Sequence, residues 1–426
     1  MAVPEGEGRD SRAPREPLSL RDFRSFWAAD GVGALGLAAT PVVVDVLVVT
    51  VLQAAETEVG IVRAAQFLPY LLVGLLAGAY VDRWRRRPVL VVGNLAQGLL
   101  LLLVPVLWLL GALSVTSLAL VLFAAGVVTV FTAAAEQSYL PDLVPRRLLV
   151  PANARIGQSA TVAQTSGPAL AGVLVAWLGA PLAMALSSLS RIASALLVLR
   201  IRAPEPVPEA GGSPQVWRAV RDGLRFIYRH PTLAPLAVST HVWFLANSMA
   251  WTVFALLALR ELGLSAAVYG MALSLAGVAG FLGAVVAPAA GRRGGEGRII
   301  VLCRLLCTLA WMVVALTPAG GPAWAAVVVI SGAQVLYGFS LGLEDPNEMG
   351  YWQAITPREL LGRVNATRRS ANRTAAVLGA LLGGLLAGSV GYRETLGIAV
   401  AVFLVAVLTV AFSPVRSARA DVHAEG

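Results

Sequence analysis

The 426-residue chain contains no lysine, and charged residues of any kind make up 13 % of it, against roughly a quarter in an ordinary soluble domain. Side chains that carry chemistry are equally scarce: there are two cysteines and three histidines. Cys303 and Cys307 stand four apart on one helical face and read as small apolar wall residues, since a metal site needs more ligands than this neighbourhood offers. The sequence has no Gly-x-x-x-x-Gly-Lys, no His-Glu-x-x-His and no serine in a strained nucleophile turn. These absences argue against an enzyme, against a resident cofactor or metal, and against ATP as a direct energy source.

What the chain has in abundance is apolar sequence: 57 % of residues are hydrophobic and the mean hydropathy is +0.75. A bilayer core of about 30 Å takes runs of about 20 apolar residues, and about twelve such runs follow one another. The first six are expected near 24–53, 57–81, 88–111, 115–138, 153–178 and 182–201. The second six are expected near 233–258, 266–290, 298–317, 323–345, 361–389 and 395–412. Lipid offers the backbone no hydrogen-bond partner, and the runs are too long and continuous for barrel strands, so they are expected to be helices. The fold class is therefore an all-α membrane protein with twelve transmembrane helices.

Arginine supplies all the positive charge and falls overwhelmingly in loops of one parity: Arg83 to Arg87, Arg146 and Arg147, Arg218 to Arg229, Arg292 and Arg293, Arg358, Arg416 and Arg419. The positive-inside rule then places both termini in the cytoplasm of a multi-pass plasma-membrane protein. No cleavable signal peptide precedes the first run. The net charge of +9 follows from topology and anionic headgroups, so nucleic-acid binding need not be invoked.

The chain also repeats itself. EQSYLPDLVPRRLLVPANA, Glu136 to Ala154, returns as EMGYWQAITPRELLGRVNA, Glu348 to Ala366, with Glu136 and Glu348, Pro145 and Pro357, Gly167 and Gly379, and Gly172 and Gly384 all 212 positions apart. In so apolar a chain, duplication points to two pseudo-symmetric six-helix halves and to transport. The segments expected are a tail at 1–22, a first half at 23–201, a linker at 202–231, a second half at 232–412 and a tail at 413–426. Within the linker, Trp217, Val220, Leu224 and Ile227 recur at helical spacing, as in an amphipathic helix on the cytoplasmic surface.

After the second run, GAYVDRWRRRP places Gly78, Asp82, Arg83, Arg86 and Arg87 at the spacing of the cytoplasmic loop motif of the major facilitator superfamily, which the whole chain resembles. RDFRSFWAAD, SGPALAG and TPRELLGRVNATRRSANR narrow the likeness to the drug:proton antiporter group of macrolide-efflux and enterobactin-exporter proteins. The resemblance implies that the first set is a latch favouring an outward-open state. It also implies that Gly167, Pro168 and Gly172 form an antiporter-type motif, with alanine at 163 and 171 in place of two glycines. The implied function is secondary active export of a small amphipathic compound by alternating access in exchange for protons, and a monomer surrounded by lipid is expected. A ligand sensor without transport, a lipid flippase or an importer on the same fold are the alternatives.

An ionisable side chain at mid-bilayer costs several kcal/mol unless it faces a cavity or a partner. Asp45, in PVVVDVLVV, and Arg191, in SSLSRIASA, are the sharpest cases, as a neutralised structural bridge or as a proton- or substrate-coupled pair. On the seventh span His241, Trp243, Asn247 and Trp251 are expected to line a cavity, or else to anchor an interface. At the ends of the tenth and eleventh spans Glu344, Asp345 and Glu348 face Arg368, Arg369 and Arg373, with Glu136 and Arg155 at the matching place in the first half. These are expected either as ion pairs of an inner gate or as static braces.

Overall fold

The computed structural model describes residues 16–81, 83–205, 216–357 and 359–419. Among them there are helices and no strand. In chain order these are α1 (Arg21–Val46), α2 (Glu56–Val81), α3 (Arg86–Leu109), α4 (Val115–Leu143), α5 (Leu149–Leu178), α6 (Ala180–Val198), α7 (Val216–Arg229), α8 (Leu233–Leu256), α9 (Ala266–Gly294), α10 (Glu296–Ala315), α11 (Ala323–Ile355), α12 (Leu361–Val390) and α13 (Tyr392–Ala411). Eleven of the described helices are long and apolar enough to cross a membrane. The 26-residue α2, packed between α4 and α12, stands among them and brings the bundle to the twelve-helix architecture of two halves.

Helix ends follow from local chemistry. Ser114 opens α4 in a reciprocal capping box with Ser117, and Ser265 opens α9 by accepting from the Val268 amide, satisfying donors that the first turn leaves open. Gly179 after α5 and Gly391 after α12 stand at φ of 80° and 103°, which glycine adopts without strain. They too are 212 positions apart. Both α1 and α8 end in a widened turn, where the Leu52 amide reaches Leu47 O at 2.9 Å and the Leu262 amide reaches Leu257 O at 2.8 Å.

The largest departure from the expected spans is at α4 and α11, which run on to Leu143 and Ile355. Hydropathy falls at Glu136 and Glu344, but both helices continue, because Glu344 and Glu348 are buried against Arg304 and Glu136 interacts with the buried Arg191 rather than being released to solvent. The linker helix α7 docks on α12 and α8. Ile227 is buried, Gly223 sits against Arg363 and Thr367, and Leu224, which hydropathy places on the same stripe, stays exposed; the side chain of Trp217 lies outside the described residues.

The halves meet along two helix pairs, α2 with α12 and α5 with α9. Both seams are glycine against backbone. A Cβ at Gly384 would stand 2.6 Å from the carbonyl of Glu56 and 3.0 Å from the Cα of Gly60. A Cβ at Gly172 would run into the carbonyl of Ala266, and one at Gly270 into that of Pro168. Each half thus seats its copy of the repeated glycine on the other half's helix, and no side chain separates the backbones. Polar contacts reinforce the same face. Arg260 pairs with Glu56 at 3.2 Å and donates to the carbonyl of Ala54 at 2.9 Å, and the Tyr392 hydroxyl donates to Glu56 at 2.8 Å. On the arginine-rich face, Arg86–Asp142 at 3.4 Å and Arg363–Asp222 at 3.0 Å each stay on one side of the cleft. The halves are closed at the arginine-poor face, where Arg260 joins them to Glu56, and the described ion pairs of the arginine-rich face do not join them.

Replacing Gly60 or Gly384 with valine inserts carbon where backbones touch, an overpacking cost of about 1–3 kcal/mol borne by the closed face alone. The conformer ratio is expected to move by roughly 5- to 150-fold away from this state. A cysteine at the buried Val49, with Cys303 and Cys307 replaced by alanine, should then label faster with an impermeant maleimide; unchanged labelling would show that these seams do not hold the face shut.

Candidate functional site

A cavity of about 560 Å³ lies between α8, α10, α11 and α12. Helical spacing builds its walls. Thr240, Trp243 and Asn247 form one stripe of α8, and Leu341, Glu344, Asp345 and Glu348 form one stripe of α11. At its back is Arg304 on α10, 1 % exposed as a side chain. Its Nε donates to Glu344 at 2.9 Å, and one terminal nitrogen donates to Glu348 at 3.0 Å and to the Thr240 hydroxyl at 2.8 Å. The other terminal nitrogen donates to the Ser239 hydroxyl. Arg368 of α12 closes the set, donating to Glu348 at 3.0 Å while its guanidinium lies 4.9 Å from the ring centre of Trp352.

The charges do not balance. Glu344, Asp345 and Glu348 set three carboxylates against the two guanidiniums of Arg304 and Arg368. The second carboxylate oxygen of Glu344 is buried with no hydrogen-bond partner. Asp345 also borders a second cavity of about 400 Å³ between α5, α9 and α11, so it stands where the wall of the second half meets the cleft between the halves. A cavity mixing aromatic, amide and charged walls binds amphipathic molecules, and one added proton brings its charged side chains from a net −1 to zero.

The sequence profile of the transmembrane secretion effectors matches residues 12–425. The chain belongs to this family of major facilitator transporters, which are not enzymes. It is 27 % identical over 409 residues to the multidrug efflux pump Tap of Mycolicibacterium fortuitum, covering 93 % of this chain and 95 % of that one. Its fold is similar to a bacterial homologue of the iron transporter ferroportin. The TM-score is 0.75 with the inward-facing state, at 18 % identity over 92 % of this chain and 98 % of that one. With the outward-facing state it is 0.59, at 20 % identity over 92 % and 99 %.

In this transporter Asp45 and Arg191 do not form the pair considered from sequence. Asp45 accepts from Arg63, seven residues into α2, at 2.6 Å and from the Tyr269 hydroxyl of α9 at 2.8 Å. This carboxylate is therefore a link between the halves near the closed face. Arg191 donates to Asn94 of α3 at 3.3 Å and interacts electrostatically with Glu136 and Asp30. Trp243 and Asn247 line the large cavity, but His241 and Trp251 do not. At about 100° per residue His241 lies about 160° around α8 from Trp243. It sits behind the wall instead, 2.7 Å from the Tyr228 hydroxyl of α7 and 2.6 Å from the Asn372 amide oxygen. Trp251 is on the right side but deeper, edge-on to Phe254, Trp311 and Tyr337.

The expected gate charges Glu344, Glu348 and Arg368 pair within the second half, where Arg304 is the common partner of the two glutamates and Arg368 binds Glu348. Glu136 and Arg155 do not meet; Arg155 donates to Gln158, at 3.4 Å, and its carbonyl accepts from Trp27. Arg369 is exposed, and Arg373 lies over Phe67 and Tyr70. Of the residues expected as a latch, Arg86 binds Asp142 and Arg87 binds the Leu199 carbonyl, tying the loop to its own half. Arg83 follows the turn from α2, Gly78 lies within α2, and Asp82 lies outside the described residues. Gly167 packs on Ala38 of α1 and Gly172 on α9, with Pro168 between them inside α5. Arg304, Arg63 and Asp30 escaped the sequence reading. Arg304 and Arg63 carry the same mark as Asp45, an ionisable residue inside an apolar run.

Arg304→Met would leave Glu344 and Glu348 buried beside a single remaining cation, and breaking a buried pair from one side costs about 3–5 kcal/mol. A large fall in the thermal stability of the purified protein is expected, with partial recovery in Arg304→Met/Glu344→Gln. Equal melting temperatures for wild type and Arg304→Met would remove Arg304 from its central place.

Proposed function

We propose that this transporter exports a small amphipathic compound by alternating access, exchanging it for protons. The observation that carries the reading is the charged and aromatic cavity in the wall of the second half, with the polar links between the halves gathered on the side opposite the arginine-rich face. The positive-inside rule makes that face cytoplasmic, with both termini on the same side of the plasma membrane. Substrate then enters from the cytoplasm or the inner leaflet. The full-length likeness to a multidrug efflux pump supports the outward direction. The twelve-helix chain acts as a monomer, its halves rocking about the glycine seams while the linker helix α7 travels with the second half, to which Arg363–Asp222 binds it.

Two carboxylate sites suit the coupling proton. In the cavity, one proton on Glu344 or Asp345 balances three carboxylates against two arginines. At the closed face, a proton on Asp45 weakens its hold on Arg63 and Tyr269 and eases the parting of that face. Release of substrate outward and loading of a proton are then linked, because the face that opens exposes the group that takes it.

Inside-out vesicles under an imposed inward-acidic gradient should accumulate a substrate identified by susceptibility screening of a deletion strain, and an uncoupler should abolish accumulation. Asp45→Asn or Glu344→Gln is expected to abolish gradient-driven uptake while leaving substrate exchange at equal pH; normal gradient-driven uptake in both variants would end the proton-coupling idea. Binding without flux in wild type would favour a ligand sensor.

A further inference from the structure

Arginines deep in this bundle come with carboxylates. Arg63 has Asp45, Arg304 has Glu344 and Glu348, Arg368 has Glu348, and Arg191 interacts with Glu136 and Asp30. Arg373 is different. It lies twelve residues into α12, roughly 18 Å along the helix axis. Among the described residues no carboxylate is within ion-pairing distance of it. Its guanidinium instead crosses the cleft and lies 5.3 Å from the ring centre of Phe67 and 4.9 Å from that of Tyr70, both on α2 of the other half. Arg369, one turn away, adds like charge, and Tyr70 also interacts with Arg191.

An embedded carboxylate can shed its charge by taking a proton, but a guanidinium cannot. Ring faces attract a cation without neutralising it. The missing partner has to be an anion that comes and goes, and we propose that Arg373, with Phe67 and Tyr70, binds the anionic group of an amphipathic substrate whose flat apolar body stacks on the two rings. All three side chains are half-buried, and they meet across the two halves. The rings belong to one half and the cation to the other, so a ligand held there touches both parts that move. The repeat sharpens the assignment: 212 positions before Arg373 stands Thr161, so duplication alone does not account for this charge. The proposal rests on the transport reading for its occupant and adds to it the substrate's charge.

The test compares probes of one shape and opposite charge, 1-naphthoate and 1-naphthylmethylammonium, by equilibrium binding to the full chain in phosphatidylcholine nanodiscs, with empty discs subtracted. Wild type is expected to bind the anion about tenfold or more tighter than the cation. Arg373→Met should lose the preference and Arg373→Lys should keep it, with weaker stacking. Equal binding of the two probes, or preference for the cation, overturns the proposal in wild type without any variant that has to fold. Folded Arg373→Met with an unchanged preference overturns it as well. Loss of naphthoate binding on adding a few per cent phosphatidylglycerol assigns the anion to a lipid headgroup and overturns the substrate assignment. Flux is measured separately in vesicles of the same lipid: anion binding without flux of any compound sinks the transport reading and leaves the site, whereas flux of the cation without anion binding does the reverse.

Discussion

The constraint on which the rest of this molecule depends is that a charge placed in hydrocarbon has to be matched there. It decides where the chain is helical, since α4 and α11 run past the fall in hydropathy to carry their carboxylates to buried arginines. It decides which helices pack, since Arg304 on α10 draws together α8 and α11 through Thr240, Glu344 and Glu348. It also decides what is free to move. Matched charges make rigid parts, and the wall of the second half is one such part because the pairs of Arg304 and Arg368 close within it.

Movement needs an interface of the opposite kind, close but without interlocking side chains. The α2–α12 and α5–α9 seams supply it, with Gly60 against Gly384 and Gly172 against Gly270. Small residues let backbones approach, and at these glycine contacts nothing protruding has to be withdrawn when they slide or part. What is polar at this face is concentrated in two links, Asp45 with Arg63 and Tyr269, and Arg260 with Glu56 and Tyr392. A few charge-assisted bonds can be broken together, whereas an interdigitated core cannot.

Hydropathy and the arginine pattern made the number and order of the helices legible in the sequence, because runs this long leave the backbone in lipid only the helix, but not the ends of α4 and α11. The repeat made the halves legible, and the glycines at 172 and 384 turned out to be the seams between them. The partners of the embedded charges were not legible. Asp45 lies eighteen positions from Arg63 but two hundred and twenty-four from Tyr269, and spacing along one helix says nothing of which neighbour faces it. The stripe on α8 was half read: 240, 243 and 247 share a face, and His241 fell off it through the 100° advance per residue. Arg304 was readable by the rule that singled out Asp45, in a run whose two cysteines drew attention instead.

The two halves solve the same electrostatic problem from different positions. The repeated glutamate stands at 136 in one and 348 in the other, and each faces a buried arginine. In the second half that arginine is Arg304 on α10, and the place 210 residues earlier, the offset relating the widened turns of α1 and α8, holds Asn94. In the first half it is Arg191 on α6, and the place 212 residues later holds the buried Phe403. A charge has moved from one helix to another across the duplication while its partner has stayed. The consequence is geometric: Arg304 holds Glu348 by direct contact, whereas Arg191 makes its hydrogen bond to Asn94 and interacts with Glu136 only at longer range. The fold can therefore rock as a symmetric object while its two walls offer a ligand different fields, and a pump needs both, since symmetry makes the two open states comparable in energy and asymmetry gives the cargo a side to bind.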